Sequence, residues 1–104
     1  MLKKEKIIKS LQKFNIEHKD EGFVFISIFG SYARNENDIF SDIDLTYKIN
    51  HDKFCKNDAF AKLLKIEEIK KTLEESFHKR IDLIPANTQN MMIKENIEAE
   101  QVFI

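Results

Sequence analysis

The stretch FVFISIFGSYARNENDIFSDIDL, residues 23–45, carries the main signals for fold and function. Its first seven residues are apolar with one exception, a pattern that predicts a buried strand. The strand ends at Gly30-Ser31, where the chain turns and where glycine allows a ligand to approach the backbone closely. Asp42 and Asp44 follow at spacing i, i+2. A strand that opens at Asp42 therefore carries both carboxylates on one face.

These two carboxylates indicate a cation. On the predicted strand, Ile43 and Leu45 face the core, so Asp42 and Asp44 face away from it together. Two like charges held close on one face are unfavourable unless a cation lies between them. Hard oxygen ligands of this kind suit Mg²⁺, which binds through few carboxylates plus substrate phosphates.

A third acidic residue, Asp82, alternates with Ile81 and Leu83 in a short apolar run and so faces away from the core. If its strand lies beside the first pair, three carboxylates converge. Two metal ions held there can clamp the attacking and the leaving oxygen of a displacement at phosphorus. The alternative is structural, with each aspartate capping a strand or a turn, and it stays open above all for Asp82.

Periodicity along the rest of the chain predicts strands that alternate with helices. The expected elements are a helix from Leu2 to about Glu17, a strand from Phe23, a short helix start at Gly30–Asn35, a loop at Asn37–Ser41, a strand at Asp42–Lys48, a long helix at Asp58–Phe77 with Asp58 as N-cap, a strand at Arg80–Ile84, a helix at Asn87–Glu100 and a last strand at residues 102–104. This order predicts an α/β (α+β) fold, a mixed sheet with helices packed mainly on one side.

The same periodicity predicts which apolar residues of the last two helices are buried. They are Phe60, Leu63, Leu64, Ile66, Ile69, Leu73 and Phe77 in the long helix, and Met91, Met92, Ile93, Ile97 and Ala99 in the last one.

Composition limits the class of protein. With 104 residues there is room for one domain, 1–104, and one modest core. A net charge of -1 gives no field that attracts a long nucleic acid. The single Cys55 forms no internal disulfide, and no apolar run has the length of a membrane span or signal peptide. We therefore expect a cytoplasmic location and no membrane contact.

The central stretch resembles the minimal nucleotidyltransferase (MNT) family of the polymerase-beta-like superfamily. Its pattern is Gly-Ser, ten residues, then Asp-x-Asp. The residues that carry the resemblance are Gly30, Ser31, Ala33, Arg34, Ser41, Asp42, Asp44 and Leu45. One departure is Asn35, where the family often has glycine; asparagine also tolerates a left-handed backbone. The resemblance covers nearly the whole chain and implies the polymerase-beta-like palm.

The resemblance also implies a reaction. Such enzymes transfer a nucleotide from a nucleoside triphosphate to a hydroxyl and release pyrophosphate. By resemblance, Asp42 and Asp44 bridge two Mg²⁺ ions, with ATP as substrate. Asp82 holds the ion that activates the acceptor. Whether Asp82 also accepts the acceptor's proton is left open.

Gly30 and Ser31 are the candidates for holding the triphosphate. Backbone N–H groups and the Ser31 hydroxyl are donors, and the start of the helix that follows favours anions. The alternative is a plain strand-to-helix turn with Ser31 as N-cap.

Arg34 and Ser41 complete the candidate nucleotide-binding set. Arg34 lies one helical turn beyond Gly30 and can reach a phosphate, or it can pair with Glu36 or Asp38. Ser41 is expected to fix the loop before the Asp-x-Asp sequence.

By resemblance, the chain is an antitoxin of a HEPN–MNT pair, which transfers AMP to a tyrosine of a HEPN-domain ribonuclease toxin. It lacks the length for the extra domain that holds tRNA or an antibiotic in larger relatives. Two alternatives stay open: a non-catalytic subunit that neutralises its partner by binding, and a small-molecule (antibiotic) nucleotidyltransferase. The sequence leaves the acceptor, the base preference and the oligomeric state undetermined.

Overall fold

The computed structural model describes residues 2–104 and contains the predicted alternation of helices and strands. The elements are α1 (Lys4–Glu17), β1 (Phe23–Phe29), α2 (Gly30–Ala33), β2 (Ile43–Ile49), a 3₁₀ turn (Phe54–Asn57), α3 (Ala59–Phe77), β3 (Ile81–Pro85), α4 (Met91–Glu100) and β4 (Val102–Phe103). The 3₁₀ turn is the element that the sequence pattern did not predict.

The four strands form one mixed sheet in the order β3-β2-β1-β4. β1 pairs antiparallel with both β2 and β4, whereas β2 and β3 are parallel. This confirms the predicted mixed sheet. Its register places Phe29 opposite Asp44 and Asp44 opposite Asp82, so the ends of three elements meet at one edge.

The single polar residue of the β1 run has a structural partner. Ser27 and Thr46 are opposite each other on β1 and β2, both fully buried, and their hydroxyl oxygens are 2.6 Å apart. The register shifts between Phe25 and Ser27, as in a β-bulge. Burying these hydroxyls costs little because each satisfies the other.

Aromatic rings fill the opposite end of β1 and β2, which we call the aromatic end: Phe14, Phe23, Phe25, Tyr47 and Phe54. Phe23 stacks on Tyr47 at 5.2 Å between ring centroids and meets Phe25 edge-on at 5.1 Å. Phe14 and Phe54 lie within 6.1 Å of Phe23. This cluster belongs to the hydrophobic core, which continues into α1 and α3.

Side-chain caps fix the starts of the two long C-terminal helices. Asp58 Oδ1 accepts a hydrogen bond from Ala61 N at 3.0 Å, which confirms the predicted N-cap of α3. Asn90 Oδ1 accepts from Ile93 N at 3.2 Å. This cap starts α4 at Met91 rather than at the predicted Asn87.

The predicted burial of α3 holds for its C-terminal half and is wrong for its beginning. Ile69 and Leu73 are buried, but Phe60, Leu63 and Leu64 are 70%, 65% and 57% exposed. A 19-residue helix is about 28 Å long, whereas the five-residue β3 spans about 17 Å. The first turns of α3 therefore extend beyond the sheet.

The predicted burial of α4 is also wrong for most of its residues. Ile97 is buried and Ile93 is partly buried, but Met91, Met92 and Ala99 are exposed. With its mixed charged and apolar sequence, this short helix turns only a narrow face to the sheet.

Candidate active site

Gly30 is where β1 becomes α2, and its backbone has a positive φ of 75°. A β-carbon built there would lie 3.2 Å from Asp44 Cγ and against the Asp44 carboxylate oxygen itself, closer than real β-carbons approach. Glycine is therefore needed at this position for two reasons: it allows the left-handed backbone, and it leaves room for the Asp44 carboxylate.

Asp44 and Asp82 come together because β2 and β3 pair in parallel at this register. The two residues are direct partners across the strands, and both side chains line the same cavity. Burial, and then the close approach and charge of Asp82, raise the pKa of Asp44 to about 7, with further repulsion from Asp42 and Glu100. Near neutral pH Asp44 is therefore partly protonated, and a bound cation can replace that proton.

Asp42 lies one residue before β2 and is partly buried. Its charge acts on Asp44, but it does not line the cavity that Asp44 and Asp82 share. Across residues 2–104, no three Asp, Glu, His or Cys side chains form a ready-made metal-binding group. The structure thus brings two of the three predicted carboxylates into contact and places the third nearby.

A cavity of about 280 Å³ lies in front of the carboxylate pair. Its lining residues are Phe29, Gly30, Arg34, Asp44, Asp82, Ile84, Ile93, Asn96 and Glu100. The lining combines acidic and basic side chains with two apolar ones, Ile84 and Ile93. The sequence-based set therefore shares its cavity with residues of α4 that it did not include.

Glu100 is the charged residue that sequence reasoning missed. Its Oε2 accepts a hydrogen bond from Gly30 N at 3.3 Å, and its Oε1 is 2.8 Å from Arg34 Nη1. Glu36 takes the other side of the guanidinium, with Oε2 2.9 Å from Arg34 Nε. Of the partners considered for Arg34, Glu36 is confirmed; hydrogen bonding and charge from Glu36 and Glu100 raise the pKa of Arg34.

No sequence pattern marked Glu100, because a glutamate at the end of a helix is typical of a solvated face. It reaches Gly30 because β4, which follows α4 directly, pairs with β1. That pairing joins residues 70 positions apart along the chain.

Ser41 has a structural role in the loop before β2. Ser41 Oγ accepts from Asp38 N at 2.8 Å, and the Ser41 hydroxyl also faces Asp38 Oδ1, so Ser41 fixes the loop as expected. Ser31 lies inside α2, whose N-cap position is Phe29, so the alternative of Ser31 as N-cap is wrong. Asn35 has φ 59°, which confirms its left-handed backbone.

The described residues, 2–104, include no helix long and apolar enough to cross a membrane.

Comparison with known proteins identifies the family. Residues 5–104 match the family described as Polymerase beta, Nucleotidyltransferase. The chain is 34% identical over 99 residues to a protein of Methanocaldococcus jannaschii named as a putative protein adenylyltransferase, covering 95% of this chain and 90% of that protein.

Solved structures share the fold. A putative minimal nucleotidyltransferase is similar with a TM-score of 0.69 and 22% identity, over 97% of this chain and 95% of that chain. A toxin–antitoxin crystal structure with AMP-PNP is similar with a TM-score of 0.62 and 22% identity, over 98% of this chain and 72% of that chain. The expected polymerase-beta-like palm is confirmed, and the chain belongs to the polymerase beta nucleotidyltransferase family.

Proposed function

We propose that this chain, as a single nucleotidyltransferase domain, transfers AMP from ATP to a tyrosine hydroxyl of a HEPN-type ribonuclease toxin and so acts as its antitoxin. The observation that carries the proposal is the pair of carboxylates Asp44 and Asp82, which lie side by side on β2 and β3 next to Gly30 and line one cavity. The relative from M. jannaschii, named for protein adenylyl transfer, supports the reaction class. The fold shared with a toxin–antitoxin structure supports the partner class.

The donor set fits Mg²⁺. Asp44 and Asp82 are hard oxygen ligands, and Asp42 adds a third negative charge close by. Mutual repulsion and burial make their full ionisation unfavourable without a cation, as the raised pKa of Asp44 expresses. When bound, Mg²⁺ would neutralise charge on the triphosphate, including the phosphate of the transferred adenylyl group, and would orient the reacting oxygens.

The reaction needs a hydroxyl, a nucleotide and a proton acceptor. The hydroxyl oxygen forms a bond to the α-phosphorus of ATP, and the bond from that phosphorus to the bridging oxygen of pyrophosphate breaks. The hydroxyl proton leaves to a site carboxylate, for which Asp82 is the candidate, or to water. The role of the chain is chiefly to position the two substrates and to balance charge.

The size of the cavity favours an acceptor on a macromolecule. About 280 Å³ lies below the usual range for sites that enclose a drug-sized ligand, roughly 300–1,000 Å³. This space does not enclose both a nucleotide and a small-molecule acceptor. It therefore argues against an antibiotic as acceptor and for a hydroxyl delivered on a partner protein.

The test is transfer to a HEPN-domain ribonuclease, with ATP labelled at either the α- or the γ-phosphate. We expect α-label on the partner and an adenylate mass increment on a tyrosine, both lost on chelation of Mg²⁺. Asp82→Asn should abolish transfer, since it removes a charge that the site requires. Asp52→Asn, at an exposed position of the β2–α3 connection, is the matched control and should transfer normally.

Two results would contradict the proposal. Transfer of γ-label would indicate phosphoryl rather than adenylyl transfer. Silencing of the toxin without a mass increment, equally by the wild type and Asp82→Asn, would establish the non-catalytic binding subunit instead.

A further inference from the structure

Glu100 contacts the two groups that the proposed function needs for phosphate. Its carboxylate accepts from Gly30 N at 3.3 Å and lies 2.8 Å from Arg34 Nη1. With its side chain 23% exposed, it is largely shielded from solvent and lies against the Gly30 turn. A carboxylate with these partners makes the contacts expected of a phosphate oxygen.

We propose that Glu100 determines which form of the nucleotide can bind, by acting as an internal anion that a metal-bound triphosphate displaces and a metal-free triphosphate does not. This inference rests on the proposed function only for its ligand, a nucleoside triphosphate. Glu100 is thus assigned as a specificity-determining residue, not as a catalytic one.

The argument begins with donor capacity. The Gly30 N–H has one hydrogen to donate, and Glu100 occupies it. The Arg34 guanidinium is held on two sides, by Glu100 and by Glu36. A phosphate that uses the Gly30 donor must first move the Glu100 carboxylate away.

Charge decides which ligand can do so. Asp44, Asp82 and Glu100 line the same cavity, with Asp42 close to Asp44. A metal-free triphosphate adds its full negative charge to these carboxylates. A metal-bound triphosphate arrives with part of that charge neutralised and with a cation for the aspartates.

Glu100 can leave this position by rotation of its side chain. It stands at the last residue of α4, next to the two-residue strand β4, and Asn96, one turn earlier, also lines the cavity. A rotamer change of Glu100 carries its charge towards the solvent while the backbone of α4 stays in place.

The experiment measures the dissociation constant of ATP by calorimetry, with excess Mg²⁺ and separately with excess chelator. It compares the wild type with Glu100→Gln, which keeps the shape and removes the charge. A metal-free triphosphate meets the Glu100 charge with its own charge unreduced, so removal of that charge should tighten metal-free binding about tenfold. Binding of Mg²⁺-bound ATP should change by less than about threefold, because the cation already offsets the charge that is removed.

Three further variants sharpen the result. Glu98→Gln removes the same charge from an exposed position of α4 and should leave both constants unchanged. Glu100→Asp keeps the charge but shortens the side chain, so it should loosen the Gly30 contact and tighten metal-free binding by a smaller factor. Combining Glu100→Gln with Arg34→Gln should cancel the gain, which a merely structural role of Glu100 would not predict.

A direct view comes from the backbone amide of Gly30. The chain has two glycines, Gly22 and Gly30, so Gly22 serves as an internal control in an amide nuclear magnetic resonance spectrum. Metal-free inorganic tripolyphosphate should shift the Gly30 signal at a lower concentration in Glu100→Gln than in the wild type, and leave Gly22 unmoved.

The outcomes separate this inference from the proposed function. If Glu100→Gln binds both forms of ATP more weakly, Glu100 supports Arg34 in binding. If the ratio of the dissociation constants with and without Mg²⁺ is unchanged, Glu100 does not discriminate between the two forms. Either result overturns the inference, while AMP transfer to the partner can persist. The expected change in ratio without any AMP transfer would leave the inference standing and overturn the proposed function. No ATP binding by any variant would overturn both.

Discussion

The two ends of the β1–β2 pair differ in what their side chains contribute. At the aromatic end, Phe23 and Tyr47 stack at 5.2 Å and both are buried. At the other end, which we call the acidic end, Gly30 lies against the Asp44 carboxylate, and Asp82 lies beside Asp44 on the next strand. One end buries apolar surface, which stabilises the fold, and the other holds like charges together, which destabilises it.

This difference indicates that one end of the β1–β2 pair stabilises the fold, while the other end holds the candidate functional groups. The pairing that continues through Ser27–Thr46 joins both ends in one rigid sheet. Stability gained at the aromatic end can therefore offset the strain and repulsion of the acidic end. Such an arrangement is typical of a site in which unfavourable groups are kept for function.

The largest effect is expected from Phe23→Ala at the aromatic end. Phe23 is 3% exposed and contacts the four other aromatic rings of the cluster. Its truncation should lower the free energy of unfolding by about 3–5 kcal/mol. Urea denaturation measures this, with Val24→Ala, on the adjacent exposed position, as control. A loss for Phe23→Ala no greater than for the control would refute the assignment of stability to this end.

Gly30→Ala and Gly22→Ala form a matched pair at the two ends. Both glycines have positive φ, 75° and 83°, so each substitution should cost about 1–2 kcal/mol of strain or more. The Gly22 β-carbon would meet Phe54 N and Lys53 Cβ, whereas that of Gly30 would meet Asp44.

The two variants should therefore differ in function more than in stability. Gly30→Ala should lose binding of Mg²⁺-bound ATP, since it displaces the Asp44 carboxylate, and Gly22→Ala should retain it at a temperature where both are folded. Calorimetric titration is the measurement. If both variants bound Mg²⁺-bound ATP as tightly as the wild type, the position of the Asp44 carboxylate would not matter for ATP binding.

A smaller and opposite effect on stability is expected from Asp44→Asn in the metal-free protein. Folding raises the pKa of Asp44 from its ordinary 3.8 to about 7, so the folded state holds the proton more strongly than the unfolded state. This contribution to stability is full below pH 4 and is lost as pH rises to 7 and above.

Asparagine does not ionise, so the variant should escape that loss. At pH 8 its melting temperature should exceed that of the wild type by the equivalent of about 1 kcal/mol, a figure reduced for the solvent access of the half-buried Asp44. At pH 4 the two should be nearly equal. Asp20→Asn, at an exposed position, is the control and should show no such difference between the two pH values. If Asp44→Asn were less stable than the wild type at pH 8, Asp44 would be a structural cap.

Local signals explain why so much of the fold could be predicted. Apolar runs and helical spacing located the strands and helices, and the Asp58 cap followed from residue type and position. Burial was less predictable where length matters: the first turns of α3 keep their apolar spacing but extend past the sheet, leaving Phe60 and Leu63 exposed. Spacing along a helix does not reveal how far the neighbouring strand reaches.

In the candidate site too, local sequence rules predict some residues, whereas long-range pairing places another. Gly30, Asp44 and Asp82 were predictable because one alternation rule and one turn residue place them on a common edge. Glu100 was not, since its contact depends on the pairing of β4 with β1, a long-range feature with no local signature. The functional roles of all these residues stay predictions.

The smallest effect on the isolated chain is expected from Phe60→Ser at the start of α3. The Phe60 side chain is 70% exposed, so replacing it removes little buried surface, and stability should change by no more than about 0.5 kcal/mol. Ile69→Ala, on the buried half of the same helix, should cost several times more, about 2–5 kcal/mol. The contrast between the two, measured by urea denaturation, tests whether stability is drawn from the sheet-facing half alone. A cost for Phe60→Ser close to that of Ile69→Ala would mean that the first turns of α3 are packed in solution. The aromatic end would then extend along this helix.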